Sequence, residues 1–422
     1  MATPVRIAGA AVIAVLAALT SAGCGAPAGS ATSAASSRSA VTGAAPKVSA
    51  VEGPIPTFVP RDYVTLDPAN EKRLIVRDTV TGVVAATVSA PPHMVFTAVF
   101  GTGTGRVFTV DMRQDPPTPG GGDALYLLRL RPGSGSPPGS VVPLPLAPLH
   151  AGHAVGPGLS AVALSPDGSK IAIAYTYRTY PPHPQPLILY STATGAVLRT
   201  WTVKSGIIGA ADPMANGGSG QDDSAIAMRW TADGRGLAFA FHANAAPGRQ
   251  GYGYDPNASI RLLDTTAPGS DLIGNSRLLN GPGPGIIPGN GVGIQCLAGN
   301  GWSLSADGQA VTCAARWSVP GGHFPASLRS AGCATRSAPG QQLYLGFWRQ
   351  YWLPGGGGGG DTIYGVCPAA DIQLFWASPD GRMVLGTLSR SGDTAFGLFS
   401  GGRDFIALAP PPAGIPLASI AW

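Results

Sequence analysis

Ser165-Pro166-Asp167-Gly168 stands between two short runs of strand-forming residues, Ala161-Val162-Ala163-Leu164 and Lys170-Ile171-Ala172-Ile173-Ala174. The arrangement returns three times. Thr231-Ala232-Asp233-Gly234 lies between Ala225-Ile226-Ala227-Met228-Arg229-Trp230 and Gly236-Leu237-Ala238-Phe239-Ala240. Ser305-Ala306-Asp307-Gly308 precedes Ala310-Val311-Thr312-Cys313, and Ser378-Pro379-Asp380-Gly381 precedes Met383-Val384-Leu385. Asp-Gly between such runs supplies the positive φ that a tight hairpin turn needs, so each copy reads as strand, turn, strand.

The rest of the composition agrees with a β protein. Gly (61) and Pro (41) are abundant in the 422 residues and fall between short apolar runs, which reads as turns rather than disorder. Only 12% of residues are charged and the net charge is +5, with no basic cluster longer than two residues. Nucleic-acid binding, which needs a basic patch, is therefore not expected.

Working outward to the start, Arg6 precedes an apolar stretch over 7–22 and then Ser21-Ala22-Gly23-Cys24. The stretch is too short for a membrane span and has the flanks of a signal peptide. Its end resembles the lipobox of bacterial lipoproteins, with Ser21 where that family usually has a larger aliphatic residue. The resemblance implies cleavage before Cys24 and lipidation of Cys24; ordinary secretion is the alternative. Residues 25–56 are mostly Gly, Ala, Ser, Thr and Pro, too poor in large apolar side chains to fold, and suit a flexible spacer. The expected organisation is leader 1–24, spacer 25–56 and one folded domain over 57–422, lying on the extracytoplasmic face of the membrane.

Within 57–422, strand-like runs gather into units of about four. The units recur about 70 residues apart where a bare propeller blade needs about 40–45, and the surplus falls in Gly/Pro/Ser-rich loops, which a repeat fold tolerates. Six units are expected, with five or seven as alternatives, because the second and fifth are weak. Trp230-Thr231-Ala232-Asp233-Gly234 resembles the Trp-Ser-Pro-Asp-Gly signature of the WD40-like (PD40, TolB-type) β-propeller repeat family, and residues 72–88 resemble YVTN-type blades. The first unit has three strands, while Ile415 to Trp422 looks like the first strand of a blade that then stops. The resemblance implies that the last strand completes the opening blade, a velcro closure that also covers an exposed sheet edge.

Candidate sites are sparse. Cys296, Cys313, Cys333 and Cys367 form an even set outside the cytoplasm, which favours two disulfides. Three connectivities are open, and Cys296–Cys313 with Cys333–Cys367 is preferred. His150 and His153 lack a third ligand for zinc, and Asp222-Asp223 lacks the alternating oxygens of a calcium loop. Phe347-Trp348-Arg349-Gln350-Tyr351-Trp352 precedes six glycines (355–360), read as a low-complexity linker. Trp348, Tyr351 and Trp352 could form a binding platform, against the alternative that Phe347 and Trp348 end a blade strand and pack between blades. No Gly-x-Ser-x-Gly elbow and no phosphate-cradling glycine loop occurs. The sequence points to no cofactor. The expectation is a monomeric, lipid-anchored binding module for a cell-envelope protein or glycan. A channel-mouth hydrolase or lyase, with or without the help of a metal ion, is the alternative, and an assembly role by analogy with TolB-type proteins is a third reading.

Overall fold

The computed structural model describes residues 59–116, 124–130, 139–146, 157–177, 185–204, 206–208, 228–242, 258–280, 293–296, 301–320, 341–352, 358–366, 371–390, 393–400, 405–411 and 420–422. The leader and spacer expected over 1–24 and 25–56 lie outside these residues. Among the described residues there is no helix, and the strands form six antiparallel sheets arranged as the blades of a six-bladed β-propeller.

Blade 1 holds β1 (Asp62–Leu66), β2 (Arg73–Asp78) and β3 (Val84–Ser89). Blade 2 holds β4 (Met94–Gly101), β5 (Val107–Gln114), β6 (Ala124–Arg129) and β7 (Ser140–Pro143). Blade 3 holds β8 (Pro157–Leu164), β9 (Lys170–Tyr177), β10 (Gln185–Ser191) and β11 (Val197–Val203). In blade 4 the first strand is split into β12 (Ile207–Ile208) and β13 (Met228–Trp230), followed by β14 (Gly236–His242), β15 (Ala258–Asp264) and β16 (Ser276–Asn280). Blade 5 is split in the same way, into β17 (Gly293–Cys296) and β18 (Trp302–Leu304), followed by β19 (Ala310–Pro320), β20 (Gln341–Trp352) and β21 (Gly358–Val366). Blade 6 holds β22 (Asp371–Ala377), β23 (Met383–Arg390), β24 (Asp393–Ser400) and β25 (Phe405–Ala407), and the last strand is β26 (Ile420–Ala421).

The ring closes as the sequence implied. β26 pairs antiparallel with β1, Ala421 opposite Val64 and Ile420 opposite Thr65, so the last strand is the first strand of blade 1. Trp422 then buries its indole against Tyr63, Phe375 and Phe396, with ring centroids 5.1, 5.3 and 6.5 Å away. The first strands touch in succession, β26 with β4, β4 with β8, β8 with β13, β13 with β18 and β18 with β22, which places them around the axis.

The apolar cores lie between blades. Val64, Leu74, Phe108 and Met112 fill the space between blades 1 and 2. Ala161, Leu187, Trp201 and Phe239 fill that between blades 3 and 4, and Ala314, Phe347, Leu374 and Phe399 that between blades 5 and 6. Tyr63, Phe375, Phe396 and Trp422 join blade 6 to blade 1. Alternation along each strand sends one set of side chains to the preceding blade and the other to the following one.

The four Asp-Gly turns share one construction. The Ser165 hydroxyl donates to Asp167 Oδ1 at 2.6 Å and accepts from Lys170 N–H at 2.9 Å. Thr231, Ser305 and Ser378 do the same with Asp233, Asp307 and Asp380. Only the glycine takes positive φ, 71° at Gly168, 66° at Gly234, 69° at Gly308 and 71° at Gly381. The Gly168, Gly234, Gly308 and Gly381 N–H groups each donate to the carbonyl three residues back. The turn is thus a type I turn followed by a left-handed glycine, rather than one with both central residues at positive φ.

Two expectations need correction. The glycine run over 355–360 is not simply a linker, because Gly358 to Gly360 belong to β21 and pair with Trp352 to Gln350. The indole of Trp348 occupies the position that a Cβ on Gly360 would take, so a strand residue without a side chain is required there. The first strand of blade 4 was expected over Ala225 to Trp230, of which Met228 to Trp230 are described as strand. Ile207 and Ile208 supply its far half, opposite His242 and Phe241, and residues 209–227 are inserted between the halves.

Candidate functional site

The two ends of the ring differ. At one end the first and second strands of blades 3 to 6 are joined by the Asp-Gly turns and those of blade 2 by residues 102–106, and these turns are laced together. Ala232 N–H donates to Ala306 O at 2.9 Å and Ala306 N–H to Pro379 O at 2.9 Å. Gly103 N–H donates to Trp422 O at 2.7 Å, and the Trp376 indole N–H to Gly103 O at 3.0 Å. Blades also clasp the next turn through arginine: Arg277 Nη2 donates to Gly308 O at 2.7 Å and Arg349 Nε to Asp380 O at 2.8 Å. Each guanidinium spends one donor of its fixed fork on one turn carbonyl, and this gives part of the arginine content a structural use.

The opposite end carries the connections between blades and between second and third strands. Its described part at blades 1 and 2 is a charged rim in a charge-poor protein. Arg73 pairs with Asp67 at 2.9 Å, Lys72 with Asp115 at 2.9 Å and Arg113 with Glu71 at 3.3 Å. His93 projects there from a turn closed by Met94 N–H to Pro91 O at 3.1 Å, with φ of 63° at a position where glycine is the usual occupant. The longer connections 243–257, 281–292 and 321–340 join strand ends on this same side of the ring, by the alternation of strand direction.

The axial wall is built from the first strands, and it is irregular. The pairing of first and second strands slips at Thr97 in blade 2, at Ser160 in blade 3 and at Phe375 in blade 6. The equivalent strands of blades 4 and 5 are split outright by 209–227 and 297–301. Each of these five strands thus takes up extra chain at a comparable level, which bends the strand and re-aims its side chains. Among the described side chains of these strands, the polar ones that remain half-buried are Thr97, Arg229, Ser303 and Gln373. Arg229 is the charged one, and burial lowers its guanidinium pKa to about 10.

The residues singled out from the sequence are placed as follows. Cys296 and Cys313 are joined in a disulfide with Cα atoms 5.6 Å apart, which ties β17 to β19 beside the split in the first strand of blade 5. Cys24, Cys333, Cys367, His150, His153, Asp222 and Asp223 lie outside the described residues. Trp348 is buried in the core that includes Trp302 and Val311, so it packs between elements rather than offering a surface. Phe347 is buried against blade 6, in the middle of β20 rather than at its end. Tyr351 is half-buried with the Arg349 guanidinium 5.1 Å over its ring, and Trp352 closes the strand. The side chain of Trp352 lies outside the described residues. Among the described residues no group of three His, Cys, Asp or Glu side chains is placed to hold a metal ion. Sequence reasoning missed Arg229, although it stands directly before the Trp230 of the repeat signature, where the other units carry Ala163, Ser303 and Trp376.

No protein-family model matches this chain, and no curated protein matches it in sequence. Solved structures do match its trace. The β-propeller domain of Myceliophthora thermophila Cps50 (Swd1) is 13% identical, with 81% of this chain and 80% of that one covered and a TM-score of 0.37. A functionally unknown protein from Desulfotomaculum acetoxidans is 14% identical over 84% of this chain and 96% of that one, TM-score 0.38. An oligogalacturonate lyase in complex with manganese is 12% identical over 80% and 76%, TM-score 0.38. At such identities the likeness concerns the fold alone.

Proposed function

We propose that this protein is a PD40-type propeller, lipid-anchored through Cys24 on the extracytoplasmic face, that receives a cell-envelope protein or glycan at the connection end of its ring. The observation that carries the reading is the asymmetry of the two ends. One end has its turn backbones engaged with one another through the Ala232, Ala306 and Gly103 N–H groups. The other gathers the charged rim at Glu71, Lys72, Arg113 and Asp115 and the three long connections 243–257, 281–292 and 321–340. Binding residues concentrate on loops that a rigid scaffold positions, and a laced ring is such a scaffold.

Two experiments test this. Cys24→Ala should move the protein from the membrane fraction to the soluble extracytoplasmic fraction, and retention in the membrane would count against the anchor. A photo-crosslinking amino acid at His93, on the connection end, should give a discrete adduct in intact cells, while the same group at Asp167, on the turn end, should not. Adducts from Asp167 alone, or from neither position, would refute the assignment of the binding end.

A further inference from the structure

The large apolar side chains left exposed among the described residues all stand on outermost strands. They are Val83 and Val84 where β3 begins, Val142 on β7, Val197 and Leu198 where β11 begins, and Leu278 on β16. All but Leu278 belong to blades 1 to 3. Val83, Val84, Val197 and Leu198 lie at the turn end of the ring. Val84 is opposite Arg77 near the end of β2, and β2 ends opposite Asp62, where β1 begins. Val197 is opposite Tyr190, and the next residue of β10, Ser191, pairs with Lys170, where β9 leaves its Asp-Gly turn.

The two corners are built alike. Gly82 N–H donates to Asp78 O and Gly195 N–H to Ser191 O, each at 2.9 Å, with φ of 66° and 70° at the glycines. Asp78 Oδ1 also accepts from the Val80 and Thr81 N–H groups at 3.1 and 2.8 Å. The aliphatic side chains are therefore held out into water by pinned turns, with 63% of Val83 and 57% of Val197 exposed. Such side chains gain by meeting an apolar phase.

The charge of the turn end divides along the same line. Over blades 1 to 3, Arg61, Arg106 and Arg129 are exposed against the Asp167 carboxylate. The half-buried groups there, Arg77, Lys170 and Arg199 against Asp62 and Asp78, leave that sign unchanged. Over blades 4 to 6 the exposed carboxylates of Asp233, Asp264, Asp307, Asp361 and Asp380 outnumber the cations Arg235, Arg277, Arg349 and Arg382. Among the described residues, then, the basic sector is also the one with the exposed aliphatic corners. The chain enters the fold in that sector too: Pro60 lies against Gly105 in the first turn of blade 2, and β1 starts at the turn end of blade 1.

We propose that the turn-end rim of blades 1 to 3 is a contact surface for an anionic lipid bilayer. Val83, Val84, Val197 and Leu198 enter the layer between headgroups and acyl chains, and Arg61, Arg106 and Arg129 meet headgroup phosphates. Aliphatic side chains beside basic ones are the chemistry that binds such a surface. The proposal rests on the reading of the chain as membrane-tethered, and it turns the connection end away from the bilayer, where an envelope partner would be met.

The test uses the full-length protein reconstituted in phosphatidylglycerol–phosphatidylethanolamine vesicles whose lipids carry a diazirine on one acyl chain. Adducts are mapped by mass spectrometry after illumination. Labelling is expected in the peptides that contain Val83–Val84 and Val197–Leu198, and not in those that contain His93 or Leu278. Arg106→Gln should lower the yield roughly 5-fold, the worth of one basic side chain near an anionic surface. Val84→Asp/Leu198→Asp, at exposed positions that the fold tolerates, should abolish it. Labelling that is equal at Leu278, or unchanged in phosphatidylcholine vesicles, would overturn the proposal. So would a dimer in detergent with no lipid adduct at the rim, which would give that surface to a second copy of the chain. The anchor is read separately, by fractionation of Cys24→Ala cells. A His93 adduct without rim labelling removes this contact and leaves the receptor reading, and rim labelling without a His93 adduct does the reverse.

Discussion

Replacing Trp422 with alanine removes the side chain that holds the two ends of the folded chain together. Its indole is 3% exposed and sits among Tyr63 of blade 1 and Phe375 and Phe396 of blade 6. Its Nε1–H donates to Thr79 Oγ1 at 3.2 Å, and Thr79 is fully buried. Truncating a buried tryptophan costs about 3–5 kcal/mol through lost burial and the cavity left behind. Leaving the Thr79 hydroxyl without its donor adds roughly 1 kcal/mol. The main-chain bond from Gly103 to the Trp422 carbonyl survives the change, so about 4–6 kcal/mol is expected. The assay is urea unfolding followed by far-UV circular dichroism, with Val197→Ala as control, since Val197 is 57% exposed on an outer strand and should change stability by no more than about 0.5 kcal/mol. The midpoint of Trp422→Ala should fall well below both parent and control, and β1 amides should exchange faster with deuterium. A midpoint indistinguishable from that of Val197→Ala would refute the view that this contact locks the ring.

Three further outcomes are expected. Ala306→Pro places at 306 the residue that positions 166 and 379 already accept, but deletes the N–H that donates to Pro379. A net loss of about 0.5–1 kcal/mol by urea denaturation is expected, whereas proline at an idle turn position would stabilise by roughly that amount, so the sign is the test. Gly360→Ala drives a methyl group into the Trp348 indole and should cost about 1–3 kcal/mol, with relief in Gly360→Ala/Trp348→Leu. The Ser165 hydroxyl, then that of Ser169, holds the Asp167 carboxyl at a pKa of about 2. A depressed carboxylate stabilises the fold above the ordinary range near 3.9 and loses that contribution as pH falls through the folded value. The unfolding midpoint should therefore drop between about pH 4 and pH 2, less steeply in Asp167→Asn. A midpoint that rises over that interval would contradict the hydroxyl contacts.

What was legible in the sequence is what is local. Ser/Thr-x-Asp-Gly contains all the atoms of its own turn, so four blades announced themselves, and Trp422 could be matched to Trp230 by the strand that precedes each. What escaped depends on partners far along the chain. Gly358 to Gly360 read as linker because the reason for glycine, the Trp348 indole, stands on the neighbouring strand. The split first strands of blades 4 and 5 were hidden because each half is too short to show a period.

The alternation of proline and alanine at the second turn position has one more implication. Six modules of the same shape could in principle dock in any order around an axis. Alanine at 232 and 306 offers a donor to the module on one side only, while proline at 379 receives and passes nothing on, and proline at 166 has nothing to give. The teeth of the wheel are therefore unequal: Ala232 and Ala306 each give a main-chain bond to the next blade, whereas Pro166 and Pro379 have no N–H to give to theirs.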